Sequence, residues 1–205
     1  YSEGFYDRSE RLFYGFGLVE TRKGSVSKPE EISIVSVKYN NRDYYLRSTE
    51  AVENIYGIDS AGRRILYSSS IQEYGAALVQ RQSRARGWGP AEGADRKSPR
   101  LLCVRSRLYE AGTERCAETA QYYDSYDEYG NVTALRDVYS DSAGLEELCV
   151  HVEYGRDIGP GCYLAAMPEL IEARGRSGLL RKRTGSYGPH GELTVLRDYY
   201  SGSGF

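Results

Sequence analysis

The feature that most constrains this chain is a gapless internal repeat. YDEYGNVTALRDVYS (126–140) and YGPHGELTVLRDYYS (187–201) align at an offset of 61, with eight of fifteen positions identical. The shared positions include Tyr126/Tyr187, Gly130/Gly191, Thr133/Thr194, Leu135/Leu196, Arg136/Arg197 and Asp137/Asp198. Repetition over tens of residues marks an array whose units bury their faces against neighbours rather than around a private core. The chain begins at Tyr1 rather than Met and reads as one fragment, 1–205, of something longer.

Each copy opens on a turn. Asp59–Gly62, Asp127–Gly130 and Asp141–Gly144 read D-x-x-G, and Gly175–Gly178 and Gly188–Gly191 keep the frame with Gly first. This is the chemistry of a type I turn: the leading Asp bonds backbone amides downstream, and the closing Gly takes the left-handed conformation that lets a hairpin resume its ladder. Gly130 and Gly191 are therefore expected at positive φ. Between the turns lie segments with period-two alternation: Leu102/Val104/Ser106/Leu108, Val150/Val152/Tyr154 and Leu193/Val195/Arg197. Ile32 and Ile34 followed by Val35 and Val37 suggest a strand that switches face. Helical periodicity is scarce, and the best apolar run, Tyr163 to Ile171, contains Pro168. Composition agrees, with 20 Tyr against 4 Phe and 1 Trp, and 23 Gly supplying turns. The fold class expected is all-β, built from repeated antiparallel β-hairpins. Only 81–100, rich in Gly and Arg with almost nothing to bury, breaks the pattern and reads as a long exposed loop or insertion.

Most function classes are poorly supported. Lys plus Arg is 27 against Asp plus Glu at 29, so the net charge of −2 gives no surplus of cations for nucleic acid. Trp88 alone makes no stacking platform beside the basic residues of 81–100. No apolar run reaches the length of a membrane helix, and no signal-peptide pattern opens the sequence. Cys103, Cys116, Cys149 and Cys162 form no C-x-x-C pair and read first as reduced, partly buried thiols, with disulfides as the alternative. His151 and His190 have no metal-ligand spacing, and Cys149-x-His151 supplies two ligands where a site needs more. Asp59, Asp127, Asp137, Asp141 and Asp198 sit in or beside expected turns, where bonding to backbone accounts for them without acid–base chemistry. Asn131-Val132-Thr133 is formally a glycosylation sequon, but Asn131 has a turn role. No catalytic residue, metal or cofactor is expected. The tyrosine surplus has two readings: rings packed on a strand face with the hydroxyl wet or bonded, or an exposed row that stacks on sugars.

YDEYGNVTALRD (126–137) resembles the Tyr-Asp repeat of Rhs-type proteins, with the second copy departing at Gly188 and Glu192. YDRSERLFYGFGLVETR (6–22) and NRDYYLRSTEAVENIYGIDSAGRRIL (41–66) are similar to stretches in the B component of insecticidal toxin complexes and in virulence-plasmid B-like proteins. YLAAMPELIEARGRSGLLRKR (163–183) resembles the strand that precedes another Tyr-Asp hairpin there. The resemblance implies a strip of an Rhs/YD-repeat shell in a secreted bacterial toxin component, enclosing a cytotoxic C-terminal effector and without catalysis of its own. Its partners would be the rest of its polypeptide and other toxin-complex subunits. The residues carrying this reading are structural: Asp59, Gly62, Tyr126, Asp127, Gly130, Asn131, Asp137, Asp141, Gly144, Tyr187, Gly191 and Asp198. A Tyr-rich repeat module binding carbohydrate or a cell surface is the alternative.

Overall fold

The computed structural model describes residues 1–25, 31–78, 97–110, 113–141, 144–159 and 162–200. Among them there is no α-helix, and the strands are β1 (Ser2–Asp7), β2 (Leu12–Lys23), β3 (Ser33–Asn40), β4 (Thr49–Ile58), β5 (Arg64–Leu78), β6 (Lys97–Tyr109), β7 (Cys116–Tyr126), β8 (Val132–Asp141), β9 (Gly144–Gly159), β10 (Cys162–Gly175), β11 (Gly178–Tyr187) and β12 (Leu193–Tyr200). They form one 12-stranded sheet whose order is the order of the chain. The registers from β1 to β6 and from β8 to β12 are antiparallel, as expected when strands consecutive in the chain are neighbours in the sheet. The fold is therefore the succession of β-hairpins that the alternation and the turns imply. Contacts divide it into two units, Tyr1–Ala120 and Gln121–Phe205, with the boundary inside β7.

In the first unit the buried apolar side chains are Tyr14, Ile34, Val37 and Cys103, with Ile34 only 1% exposed. The β3 register runs unbroken from Ser33 to Lys38, so this strand does not switch face as the Ile–Val pattern suggests. Ile34, between Arg22 and Tyr56, lies on one face; Val35 and Val37 lie on the other. A strand apolar on both faces gives the same residue pattern as one with a bulge, and only the register separates them. Asn41, the buried polar residue, is satisfied because its Nδ2 donates to the carbonyl oxygens of Glu3 (2.7 Å) and Gly15 (3.2 Å).

The expected loop at 81–100 needs correction at one end. Residues 97–100 belong to β6, pairing with Gly75–Leu78 of β5, while 79–96 lie outside the described residues. Pro99 enters a strand here, which its missing N–H allows at a strand start.

In the second unit Val152 and Ala165 are buried, and every residue of β12 is exposed. Pro168 stands within β10 opposite Tyr154, and the register shifts between Pro168 and Leu170. A proline cannot donate to the ladder, so the irregularity falls beside it. Burial is sparse in both units for a simple reason: a sheet face is covered only when another layer packs on it. Phe13, Phe16, Leu108, Leu196 and Tyr200 are accordingly exposed.

Candidate functional site

The repeat turns are closed by both backbone and side-chain hydrogen bonds. At 127–131 the Asp127 N–H donates to the Asn131 carbonyl (2.9 Å) and the Gly130 N–H to the Asp127 carbonyl (3.2 Å). Asp127 Oδ1 accepts the N–H groups of Tyr129 and Asn131, both at 2.9 Å, and Asp127 Oδ2 accepts Asn131 Nδ2 at 2.9 Å. Gly130 closes the turn at φ 91°. Burial works to raise the Asp127 carboxyl, but the hydrogen bonds from Asn131 and Tyr129, with the charge of Arg156, hold it below its ordinary value. Arg156 of β9 pairs with Glu128 (2.7 Å) and Asp127 (3.6 Å) and lies 4.8 Å from the Tyr129 ring centroid.

The turn at 59–63 has the same wiring. Asp59 Oδ1 accepts the N–H groups of Ala61 (2.9 Å) and Arg63 (2.8 Å), Arg63 Nε takes the place of Asn131 Nδ2 on Oδ2 (2.8 Å), and Gly62 has φ 78°.

The second copy reaches this geometry by exchanging roles. The Gly188 N–H donates to the Glu192 carbonyl (2.9 Å), the Gly191 N–H to the Gly188 carbonyl (3.0 Å), and Gly191 has φ 80°. Gly188 has no carboxylate, and Glu192, at the Asn131 position, supplies one by accepting the His190 N–H at 2.9 Å. A Cβ on Gly188 would collide with Oε1 of Glu192, so this carboxylate occupies the space that an aspartate would fill.

Both turns of the repeat lean on consecutive residues of β10. Asn131 Nδ2 donates to the buried Ala165 carbonyl at 2.6 Å, and a Cβ on Gly191 would lie 3.1 Å from both Leu164 methyl carbons. Tyr126 and Tyr187 end β7 and β11, and the Tyr187 hydroxyl donates to the Pro168 carbonyl at 2.9 Å. Asp141 and Gly144 face each other at the ends of β8 and β9, and the two residues between them lie outside the described residues.

Asp137 and Asp198 are placed differently from the sequence expectation, because both lie within strands and not in turns. Asp137 accepts Gln121 Nε2 at 2.7 Å. Asp198 is held below its ordinary value first by the hydrogen bond from Arg183 and then by Arg181. Asp198 is engaged by Arg183, the residue opposite it, whereas Asp137 stands opposite Leu148 of β9 and is engaged by Gln121 of β7.

A further element escaped the sequence reading. The Tyr123 hydroxyl donates to Gln121, two residues back, and the Tyr74 hydroxyl donates to Gln72 at 2.6 Å. The signal was present as Gln-x-Tyr in both strands. Several other tyrosine rings carry arginine: Arg47 on Tyr14 and Tyr44, Arg136 on Tyr122, Arg181 on Tyr200.

Three cysteine side chains are placed among the described residues. Cys103 is free and buried, its thiol pushed up by desolvation, and Cys116 and Cys149 are free and exposed. His151 Nε2 lies 3.4 Å from Glu153 Oε1. No group of three or more His, Cys, Asp or Glu among the described residues is placed to hold a metal ion. No helix among them is long and apolar enough to cross a membrane.

No protein-family profile and no curated protein sequence matches the chain. Solved structures do. The chain is similar to TcdB2-TccC3-Cdc42 with a TM-score of 0.75 at 12% identity, over 92% of this chain and 14% of that one. TcdB2-TccC3 matches with a TM-score of 0.74 at 11% identity, over 96% of this chain and 14% of that one. The Photorhabdus luminescens Tc holotoxin pore matches with a TM-score of 0.70 at 11% identity, over 92% of this chain and 13% of that one. The chain thus spans about one seventh of the solved chains it matches. At such identity the likeness shows the fold: a strip of the kind found in these Tc toxin complexes, in agreement with the Rhs/YD-repeat resemblance.

Proposed function

We propose that this chain is a stretch of shell wall in a secreted bacterial toxin component that encloses a C-terminal cytotoxic effector, and that it carries no catalysis of its own. The observation that carries the reading is the strand order. A sheet in which each strand pairs with the next along the chain extends without limit but covers neither of its faces, as a wall requires. The fold likeness to TcdB2-TccC3 structures over nearly the whole chain supports it. In this reading Asp59, Gly62, Tyr126, Asp127, Gly130, Asn131, Asp137, Asp141, Gly144, Tyr187, Gly191 and Asp198 are structural, fixing hairpins and register. The partners are the rest of the same polypeptide and other toxin-complex subunits. Electron cryomicroscopy of the full-length parent, with limited proteolysis, tests it. The expected result is a closed shell whose C-terminal region resists protease until the wall is cut; an open strip with an accessible C-terminal region would overturn it.

The Tyr-rich binding module has one observation in its favour, the exposure of Tyr1, Tyr6, Tyr199 and Tyr200. Against it, the Tyr200 ring carries Arg181 at 5.1 Å, occupying a face a sugar would need. A glycan-array screen of the chain decides between them.

A further inference from the structure

Tyrosine marks the irregularities of the sheet. In seven described hairpins the second strand carries one extra residue between the partners of two consecutive residues of the first strand. On the first strand, the residue to the turn side of this step is Tyr6, Tyr39, Tyr56, Tyr74, Tyr154 or Tyr187 in six hairpins, and Arg174 in the other. The residue after it is Gly, Asp or Asn in every case, and Gly57, Gly75 and Gly155 make the step Tyr-Gly within a strand.

These three steps show what the pair does. Side chains alternate along a strand, so the tyrosine covers one face and the glycine leaves the other bare. The extra residue of the partner strand fills that bare place. A Cβ on Gly57 would collide with the ring of Tyr67, and one on Gly155 with the carboxylate of Glu169. A Cβ on Gly75 would stand 3.1 Å from a methyl carbon of Leu102. Tyr67, Glu169 and Leu102 are the extra residues of their hairpins. Where the extra residue is Ala51, with only a methyl group to place, Asn40 stands in the glycine position. The tyrosine holds the step from its other side. The Tyr154 hydroxyl donates to the Val132 carbonyl at 3.0 Å and the Tyr187 hydroxyl to the Pro168 carbonyl at 2.9 Å, each on the strand before its own.

We infer that Tyr-Gly within a strand is the bulge-setting signal of this chain. The tyrosine pins the first strand to its predecessor, and the glycine seats the side chain of one extra residue on the strand that follows. A bulge bends its strand and increases the local twist, so the signal states where the sheet bends. It gives the tyrosine surplus a third reading, in which the ring marks register. The inference rests on the shell-wall reading only for what the bends serve.

The test uses Gly57 and Tyr67 in the full chain. Gly57→Val lowers the melting temperature by about 3 °C or more, because the branched side chain meets the Tyr67 ring. Deleting Tyr67 keeps both flanking pairs, Tyr56 with Leu66 and Ile55 with Ser68, and removes the extra residue. In that background Gly57→Val loses most of its effect. If the deletion prevents folding, Tyr67→Ala empties the same space and gives the same comparison. Equal losses with and without the Tyr67 ring overturn the seat. Hydrogen exchange reads the tyrosine: Tyr154→Phe removes only the hydroxyl and speeds exchange at the Glu169 and Leu170 amides about fivefold or more. Unchanged exchange overturns the pin. Neither outcome depends on whether the parent closes into a shell, which the cryomicroscopy reads separately.

Discussion

Asn131 joins two segments 34 residues apart: its amide nitrogen donates at once to Asp127 Oδ2 in its own turn and to the main-chain carbonyl of Ala165 in β10. Without the amide, the buried Ala165 carbonyl loses a partner and Asp127 loses one of its donors. Asn131→Ala is expected to cost about 1–3 kcal/mol, the scale for leaving a buried polar group unsatisfied. The denaturant midpoint measures it, and a midpoint equal to that of the parent would show that the brace carries no weight.

The turn glycines should separate by their surroundings. Gly130 has φ 91° with open space where a Cβ would stand, so Gly130→Val carries the conformational strain alone, about 1 kcal/mol or more. Gly191 has φ 80° and the Leu164 methyls at 3.1 Å, so Gly191→Val should lose more. Thermal melts of the two variants check the order, and the reverse order would mean that Leu164 yields freely.

The exchange of roles between Gly188 and Glu192 predicts a coupled pair. Gly188→Asp alone places a second side chain where the Glu192 carboxylate already lies, and Glu192→Asn alone removes the acceptor for the His190 N–H. Together they rebuild the arrangement of Asp127 with Asn131. The double variant should be more stable than the two single effects sum to, by about 0.5–3 kcal/mol in a double-mutant cycle. Strict additivity would mean that the two turns are not equivalent.

Asp59, Asp127 and Asp198 all have carboxyls held below the ordinary value. A depressed carboxylate stabilises the fold fully above its unfolded pKa, about 3.9, and that stability is lost as pH falls through the lower folded value. Urea midpoints should therefore change little from neutral pH to about 5 and drop below about 4. Asp127→Asn should start lower and lose less over the acid range; an acid slope equal to that of the parent would remove Asp127 from the account.

Thiol labelling should follow burial. Cys116 and Cys149 are expected to react with a maleimide in the native state, and Cys103, 3% exposed with its thiol pushed up by burial, only after unfolding. Mass spectrometry of the labelled peptides reads this directly, and rapid native labelling of Cys103 would show that β6 opens.

Much of this was legible from residues alone because turns and alternation are local signals. Asp127, Gly130 and Gly191 announce a hairpin within five residues of chain, and Leu102 to Leu108 announces a strand. What remained hidden depends on register. Ile34 and Val35 are consistent with a bulge or with two buried faces, and the difference lies in which residues of β2 and β4 stand opposite them. Asp137 and Asp198 look like turn residues from their short-range neighbours, yet their partners Gln121 and Arg183 come from adjacent strands. The hold of Asn131 on Ala165 crosses two strands and leaves no pattern in either segment.

Because each strand of this sheet pairs only with its predecessor and successor, inserting or deleting a hairpin leaves every other connection intact. Such a chain does not have to wait for its far end before its first part pairs. Most of its strand connections close over short sequence separations, the condition that favours rapid, stepwise folding as the polypeptide emerges. Length in this architecture is a free evolutionary variable: adding an even number of strands preserves the antiparallel alternation, and the 61-residue offset between the copies at 126–140 and 187–201 is a shift of four strands, from β8 to β12.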